Sequence, residues 1–490
     1  MTTNNTNISK SVDVKYYILS AIGIIIMFGF GFLPAIDPIT PLGMRVLGVF
    51  IGVIFLWSTV DLLWPSLLAL FAFAFVGYSP LTTILTLSLG NDTVWICVLA
   101  MAILGVIQRA GVNDYIITFL LTRKICNGRP WTFTTMWLTA TALFSVFTGN
   151  PLVATLIMWG ILVPLCDRLG YKNGEKWPHL MLLGTGAISG FAGAILPFKG
   201  LPLYLYGSVK AITGESVDIA GYLCTAIPIL ICLIVACVLL MRFIFRADIS
   251  KITSINTEFF KKDLPPMKAS QKFLLSFFFA YIIFLAAPGF LPEDSWFMQK
   301  YGLIGTIGIV IIMFVFLCII KNDEQKPFLN FQEIASLCIA WNIVFLLSVA
   351  MCLSSILLDD TTGIKTALVQ VLDPFFNGLS PIVFIVVFIS ISILLTNIGN
   401  NMVVALVLAP IVATFSLTYT SINLMGIICL LCFSVNVAFI LPSASPVSAM
   451  MFGHELIDKR RHWGYTIVLC LACLIILIVI GYPLSNVFLG

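Results

Sequence analysis

From Tyr16 onward the chain is divided into apolar runs, first YYILSAIGIIIMFGFGFLP and then stretches at about 43–58, 62–79, 93–122, 132–166, 179–208, 219–245, 272–288, 301–320, 334–358, 380–417, 421–452 and 464–488. A helix needs roughly 20 apolar residues to cross the hydrocarbon layer, and in lipid only helices and closed barrels satisfy their own backbone hydrogen bonds. Several runs exceed that length and have room for two spans or one broken span. Charge is correspondingly scarce. Asp, Glu, Lys and Arg make up 10% of the 490 residues and hydrophobic residues 60%, whereas a soluble domain carries roughly a quarter charged residues. The predicted fold class is an all-α polytopic membrane protein with about 11 transmembrane helices.

The polar intervals orient these spans. The first 15 residues carry Lys10 and Lys15, and no small-residue cleavage site follows, so the first run reads as a retained span with its amino end in the cytoplasm. The longest polar interval, Arg242 to Lys272, holds seven Lys and Arg residues and reads as a cytoplasmic loop, whereas APGFLPEDSWF has acids without bases and fits the outer side. The domain reading is a cytoplasmic tail 1–15, an amino-terminal half 16–245 with its repeat starting near 40, a cytoplasmic linker 246–271 and a carboxy-terminal half 272–490. The expected location is the cytoplasmic (inner or plasma) membrane, with lipid as the surrounding partner.

Catalytic and metal chemistry find little support. The 13 Cys lie mostly within apolar runs and the three His, at 179, 454 and 462, are scattered, so packed thiols are expected and not disulfides or a transition-metal centre. No HExxH or phosphate loop occurs, and no nucleophile, base and acid fall into a recognisable grouping, so neither an enzyme nor a cofactor is expected. The net charge of +4 resides mostly in loops and implies no nucleic-acid partner.

The two halves echo each other. Trp95 and Trp341, GNPLVATLI from Gly149 and GNNMVVALV from Gly399, and the GAILP and AFILP ending at Pro197 and Pro442 recur in one order at separations of 245 to 250 residues. Asn150 with Pro151, and Asn397, Asn400 and Asn401, interrupt apolar runs where an unbroken helix has no use for them. Amides and prolines there imply re-entrant hairpins whose tips face a protein-lined cavity. GTGAISGFAGAILPFKG and FSVNVAFILPSASPVSAMMFG should likewise contain broken helices, the usual mark of a transporter's central site.

These features resemble the divalent anion/sodium symporter family, which moves dicarboxylates, citrate and sometimes sulfate. The resemblance runs from about residue 40 and is tightest at ILPSASPVSAMMFG, where Leu441, Pro442, Ala444, Pro446, Ala449 and Gly453 keep the family's second-repeat pattern. It implies two inverted repeats, each with a re-entrant hairpin and a discontinuous helix, a homodimer, and alternating access of elevator type. It also implies a substrate site at Gly149, Asn150, Pro151, Lys199, Asn400, Asn401, Ser445 and Pro446, with ion-binding oxygens from Asn150, Asn400, Asn401, Ser443, Ser445 and Ser448. Na+ is the implied coupling ion, with H+ the alternative.

The chain departs from that pattern where the site should be. The usual Ser-Asn-Thr tips become Gly149, Asn150, Pro151 and either Gly399, Asn400, Asn401 or Asn400, Asn401, Met402, so the amide stays and the hydroxyls go. The first broken helix carries Pro197, Phe198, Lys199, Gly200 in place of Thr-Pro-Pro-Asn. Three readings of Lys199 stand: a tethered cation in the site, a snorkelling side chain, or an ion pair with Asp359 or Asp360. The expected function is secondary transport of a small organic anion, C4-dicarboxylate (succinate, malate or fumarate) ahead of citrate and both ahead of sulfate, with Na+ coupling reduced or replaced by anion exchange or protons. A cation/proton antiporter of the same broad superfamily is the main rival and needs an embedded acid, for which Asp61 is the candidate if it is not in a short turn; an inorganic anion carrier or a channel are the others.

Overall fold

The computed structural model describes residues 14–112, 115, 118, 122, 128–148, 150–254, 266–292, 294–357, 359–376, 380–416, 423–442 and 444–490. Most of the amino-terminal tail, much of the central linker, Gly149 and Ser443 lie outside them. The described elements are helical: α1 (Val14–Gly29), α2 (Pro41–Thr59), α3 (Leu63–Phe75), α4 (Leu81–Leu87), α5 (Asp92–Arg109), α6 (Pro130–Thr148), α7 (Pro151–Arg168), α8 (Lys176–Ala192), α9 (Gly200–Thr213) and α10 (Ile219–Leu239) precede the linker. After it come α11 (Ala269–Ala286), α12 (Trp296–Ile319), α13 (Phe331–Leu337), α14 (Trp341–Leu357), α15 (Ile364–Phe376), α16 (Pro381–Ile398), α17 (Asn401–Ser416), α18 (Leu424–Ser434), α19 (Pro446–Gly453) and α20 (Lys459–Ile476).

Among the described residues nine helices are long and apolar enough to cross a membrane, or up to ten if the bent pair α13 and α14 counts as one span. The expectation of about 11 is approached and not reached by length alone, because α3, α17 and α18 are short apolar helices. The pair Phe331–Leu337 and Trp341–Ile356 bends by 84°. The helix starts follow local chemistry. Thr40, Asn150 and Ser445 each accept a backbone N–H from the first turn of α2, α7 and α19, and each is followed by a proline that needs no donor partner at that position.

The order of elements recurs across the linker. A helix pair closing at a tight tip (α6 and α7; α16 and α17) is followed by two helices joined through a non-helical break (α8 and α9; α18 and α19) and then by a long apolar helix (α10; α20). The halves interlock: α9 packs on α17, and α19 packs on α7 and α8. α2 lies against α1 and α3, α3 lies against α14, and α14 in turn packs on α9.

Candidate functional site

At the first tip, Asn150 caps α7, its Oδ1 accepting from the Leu152 and Val153 amides at 3.0 and 3.3 Å. The capping amide is exposed, and Pro151 beside it hands its carbonyl to Ser189 Oγ of α8 at 2.6 Å. Ser145 Oγ of α6 donates to the Ser189 carbonyl at 2.8 Å. Each limb of the hairpin is therefore held to the same residue, next to the point where α8 ends.

Lys199 lies in the break between α8 and α9, as the last extended residue before α9, and is 5% exposed. Its Nζ donates to the Val146 carbonyl in the last turn of α6 at 2.5 Å. Carbonyls of a final helical turn lack helical donors and carry the negative end of the helix dipole, so the ammonium is placed where a cation is favoured. Neither snorkelling nor an acidic partner describes it. The side chain turns inward to the hairpin, and Asp359 instead caps a short 3₁₀ turn through Thr361, with an exposed Asp360 next in the chain. Gly200, with φ of +56°, permits the sharp entry into α9.

The second tip closes in the first of the two registers read from sequence. α17 starts at Asn401, and Asn400 Oδ1 accepts from the Met402 and Val403 amides at 2.9 and 3.4 Å, the counterpart of Asn150. Asn401 Oδ1 also accepts from Met402, at 2.9 Å. In the second break, Ser445 Oγ caps α19 through the Ser448 amide at 3.1 Å and donates to the Ala438 carbonyl at 2.8 Å; Ser448 Oγ donates to the Leu441 carbonyl at 2.7 Å. Both hydroxyl protons are thus committed, which leaves oxygen lone pairs as the groups able to face a cation. Pro446 starts α19 and is exposed.

Asn397 carries more than its place in the sequence indicated. It lies in the last turn of α16 and not at the tip, and is 5% exposed. Its Nδ2 donates to the Ile393 and Val437 carbonyls at 2.8 and 2.6 Å, while its Oδ1 accepts from the Phe439 and Ile440 amides at 3.1 and 2.9 Å. Thr396 Oγ1 adds a bond to the Val435 carbonyl at 2.7 Å. The second hairpin therefore reaches into the second break with an amide, whereas in the first repeat the break reaches back to the hairpin with Lys199. Sequence reading also missed Asn436, which lies about 3.7 Å from where a Cβ on Gly190 would stand and so brings the end of α8 against the second break. Its only sequence signal was an amide inside an apolar run.

Of the acids nearest the apolar runs, neither Asp61 nor Asp92 enters this region. Asp61 is exposed and caps the turn into α3 through the Leu62 and Leu63 amides. Asp92 pairs with Lys210 at 2.5 Å, each side chain more than a third exposed. Asp114 and the Asp373 side chain lie outside the described residues. An apolar cleft between α2, α14 and α17, lined by Phe50, Ile54, Leu353 and Leu406, is also apart from the tips and carries no charged group.

Comparison with known proteins agrees with this architecture. Residues 52–423 match the family described as citrate transporter, CitMHS. The sodium-dependent dicarboxylate transporter SdcS of Staphylococcus saprophyticus is 25% identical over 376 residues, covering 72% of this chain and 69% of the relative, and its Staphylococcus aureus counterpart (strain MRSA252) is 24% identical over 367 residues at the same coverage. Among solved structures, the YdaH transporter of Alcanivorax borkumensis superposes with a TM-score of 0.54 at 16% identity, covering 84% of this chain and 88% of the other; its structure is described as revealing an unusual topology.

Proposed function

The chain belongs to the citrate transporter family, and from that premise we propose that it is a secondary transporter of C4-dicarboxylates or citrate whose first-repeat cation site is occupied by its own lysine. The observation that carries this is the Lys199 ammonium bonded to the Val146 carbonyl between hairpin and helix break. A fixed positive charge supplies what a bound Na+ supplies elsewhere, namely neutralisation of helix-end carbonyls and attraction for a carboxylate. The capped amino ends of α7, α17 and α19, at Asn150, Asn400 and Ser445, add partial positive charge and backbone donors suited to an anion. Asn150, Pro151, Lys199, Asn400, Asn401, Ser445 and Pro446 are the proposed substrate contacts, with Gly149 completing the first tip.

Coupling is asymmetric in this reading. Hard oxygens remain in the second repeat, from Asn400, Asn401, Ser445 and Ser448 together with Ser443, so a surviving Na+ site belongs there. C4-dicarboxylates rank ahead of citrate because the SdcS relatives are dicarboxylate transporters, and sulfate ranks behind both. The protein works as a homodimer in the cytoplasmic membrane with its amino end inside, the hairpins and broken helices moving as one body past the scaffold. The antiporter reading has no support from Asp61 or Asp92, which cap or pair outside the tips.

The test is initial uptake of labelled succinate, citrate and sulfate into proteoliposomes against Na+, for wild type and Lys199→Ala. Wild type should take up carboxylates with a shallow, single-ion Na+ dependence, and the variant should lose anion uptake while still purifying as a folded protein. Steep multi-ion Na+ dependence in both, with unchanged anion affinity in the variant, would remove Lys199 from the site. Preference for an inorganic cation over every anion would overturn the transport class.

A further inference from the structure

Two of the three histidines, far apart in sequence, meet inside the protein. His179 of α8 and His462 of α20 are each fully buried, and His179 Nε2 lies 3.1 Å from His462 Nδ1. His462 Nε2 lies 3.2 Å from the Phe439 carbonyl, in the second helix break. A carbonyl only accepts, so His462 Nε2 carries a proton, and in the neutral ring its Nδ1 is then an acceptor. His179 Nε2 must therefore donate to it, and the remaining lone pair falls on His179 Nδ1. That atom is buried without a hydrogen-bond partner among the described residues.

The arrangement has room for one proton and no more. Protonating His179 Nδ1 leaves the His179 to His462 bond intact and makes it charge-assisted. A second proton on the pair would turn both facing nitrogens into donors and break it. The pair is also tied to the transport machinery at Phe439, whose carbonyl accepts from His462 and whose amide donates to Asn397 of the second hairpin. We propose that the His179–His462 pair is a proton-binding site, with His179 Nδ1 as the acceptor and Phe439 as the link to the second hairpin and helix break. Its consequence for transport rests on the anion-carrier reading above; proton binding itself does not. Buried histidines of this kind in membrane bundles form proton relays.

The charged and titratable groups on the surrounding elements do not offer a competing partner to Nδ1. Ahead of and on α8, Glu175 is paired with Lys251 and Lys176 donates to the Phe245 carbonyl. At the start of α20, Asp458 and Arg461 pair with each other at 3.3 Å, and the Tyr465 ring meets His179 edge-on at 5.1 Å. α7 ends with Asp167 and Arg168; Arg242, beyond α10, lies over the Trp131 ring; and His454, beside α19, accepts the Leu456 amide and sits edge-on to Trp159.

The test uses full-length protein in proteoliposomes with equal pH on both sides, and follows succinate and citrate uptake across the range of about pH 5 to 8 in which imidazole changes charge. His179→Gln keeps a donor toward His462 and removes the proton acceptor. His462→Gln keeps a donor toward Phe439 and serves as the second variant if the first does not fold; His454→Gln is the control. Because the substrates titrate in the same range, the readout is each variant's rate divided by the wild-type rate at that pH. For His179→Gln or His462→Gln this ratio should change by roughly threefold or more between the two ends, and for His454→Gln it should stay flat. A flat ratio for the His179 and His462 variants, or a change confined to His454→Gln, overturns the proposal. If wild type carries neither anion, the transport reading fails and the proton site is decided in detergent. There wild type should take up about one proton more than His179→Gln as pH is lowered from about 8 to 5, read by potentiometric titration of the folded proteins. Equal uptake by the two proteins overturns it.

Discussion

Single polar side chains hold this apolar bundle in register, and their worth depends on how many buried groups each satisfies. Asn397 answers two carbonyls and two amides. Asn397→Ala should lower stability by about 2–4 kcal/mol, because the stranded backbone groups remain buried, and Asn397→Asp should recover only the acceptor half. Thermal unfolding in detergent measures both. Asn150 and Asn400 cap exposed or half-buried helix starts, so Asn150→Ala or Asn400→Ala should lower stability by only about 1 kcal/mol. If these amides also contact the anion, as proposed, uptake should fall much further than stability does. Equal, small losses in both assays would reduce them to caps.

At the scale of elements, close approach of helices replaces the hydrophobic drive that lipid removes. α1 and α2 meet at glycines: a Cβ on Gly52 would stand 2.7–2.8 Å from the Met27 backbone and Cβ, and one on Gly48 would stand 2.6 Å from Phe30 Cβ. Small residues spaced by four let helix backbones pack closely in membranes. Gly52→Val should therefore push α1 away at about 1–3 kcal/mol, read as a lowered melting temperature. Gly160, with open space around its Cβ position, should tolerate Ala far better. The same reasoning explains why the first break needs Gly193, whose Cβ would stand 2.8 Å from Pro151 Cγ at the hairpin tip.

For the molecule as a whole, Lys251 ties the described start of the linker to the amino-terminal half. Lys251 Nζ donates to Glu175 Oε1 at 2.6 Å and to the Gly170 carbonyl at 2.8 Å. The hydrogen bond from Lys251 holds the Glu175 carboxyl below its usual range. A depressed carboxylate contributes stability that is complete above its unfolded value and is lost as pH falls through the folded one. Glu175→Gln should thus be less stable than wild type at neutral pH, by under about 1 kcal/mol for so accessible a pair, and the gap should close in acid. Elevator-type movement makes a separate demand: a cysteine placed at Asn150 or at Asn400 should change its reactivity to impermeant reagents when substrate is added. Constant labelling at both tips would argue against a moving body.

Much of the architecture was legible because membrane helices are specified locally. Apolar length marks spans, a polar cap followed by proline marks the starts at Thr40, Asn150 and Ser445, and the recurring Gly-Asn and Leu-Pro segments marked hairpins and breaks in the right order. Lys199 was conspicuous because a charge in such a run has few innocuous explanations. Its partner was not legible, since the Val146 carbonyl is an unremarkable backbone group 53 residues away. Asn397 read as part of a tip, and only the tertiary fold shows its four bonds to residues 393, 437, 439 and 440. His179 and His462, 283 residues apart, read as unrelated. Sequence determined where helices begin, break and turn, because capping, proline geometry and hydrophobic length act within a few residues; only the tertiary structure decided which polar groups face one another, because the low-dielectric interior makes those pairings and no short stretch of chain contains both members.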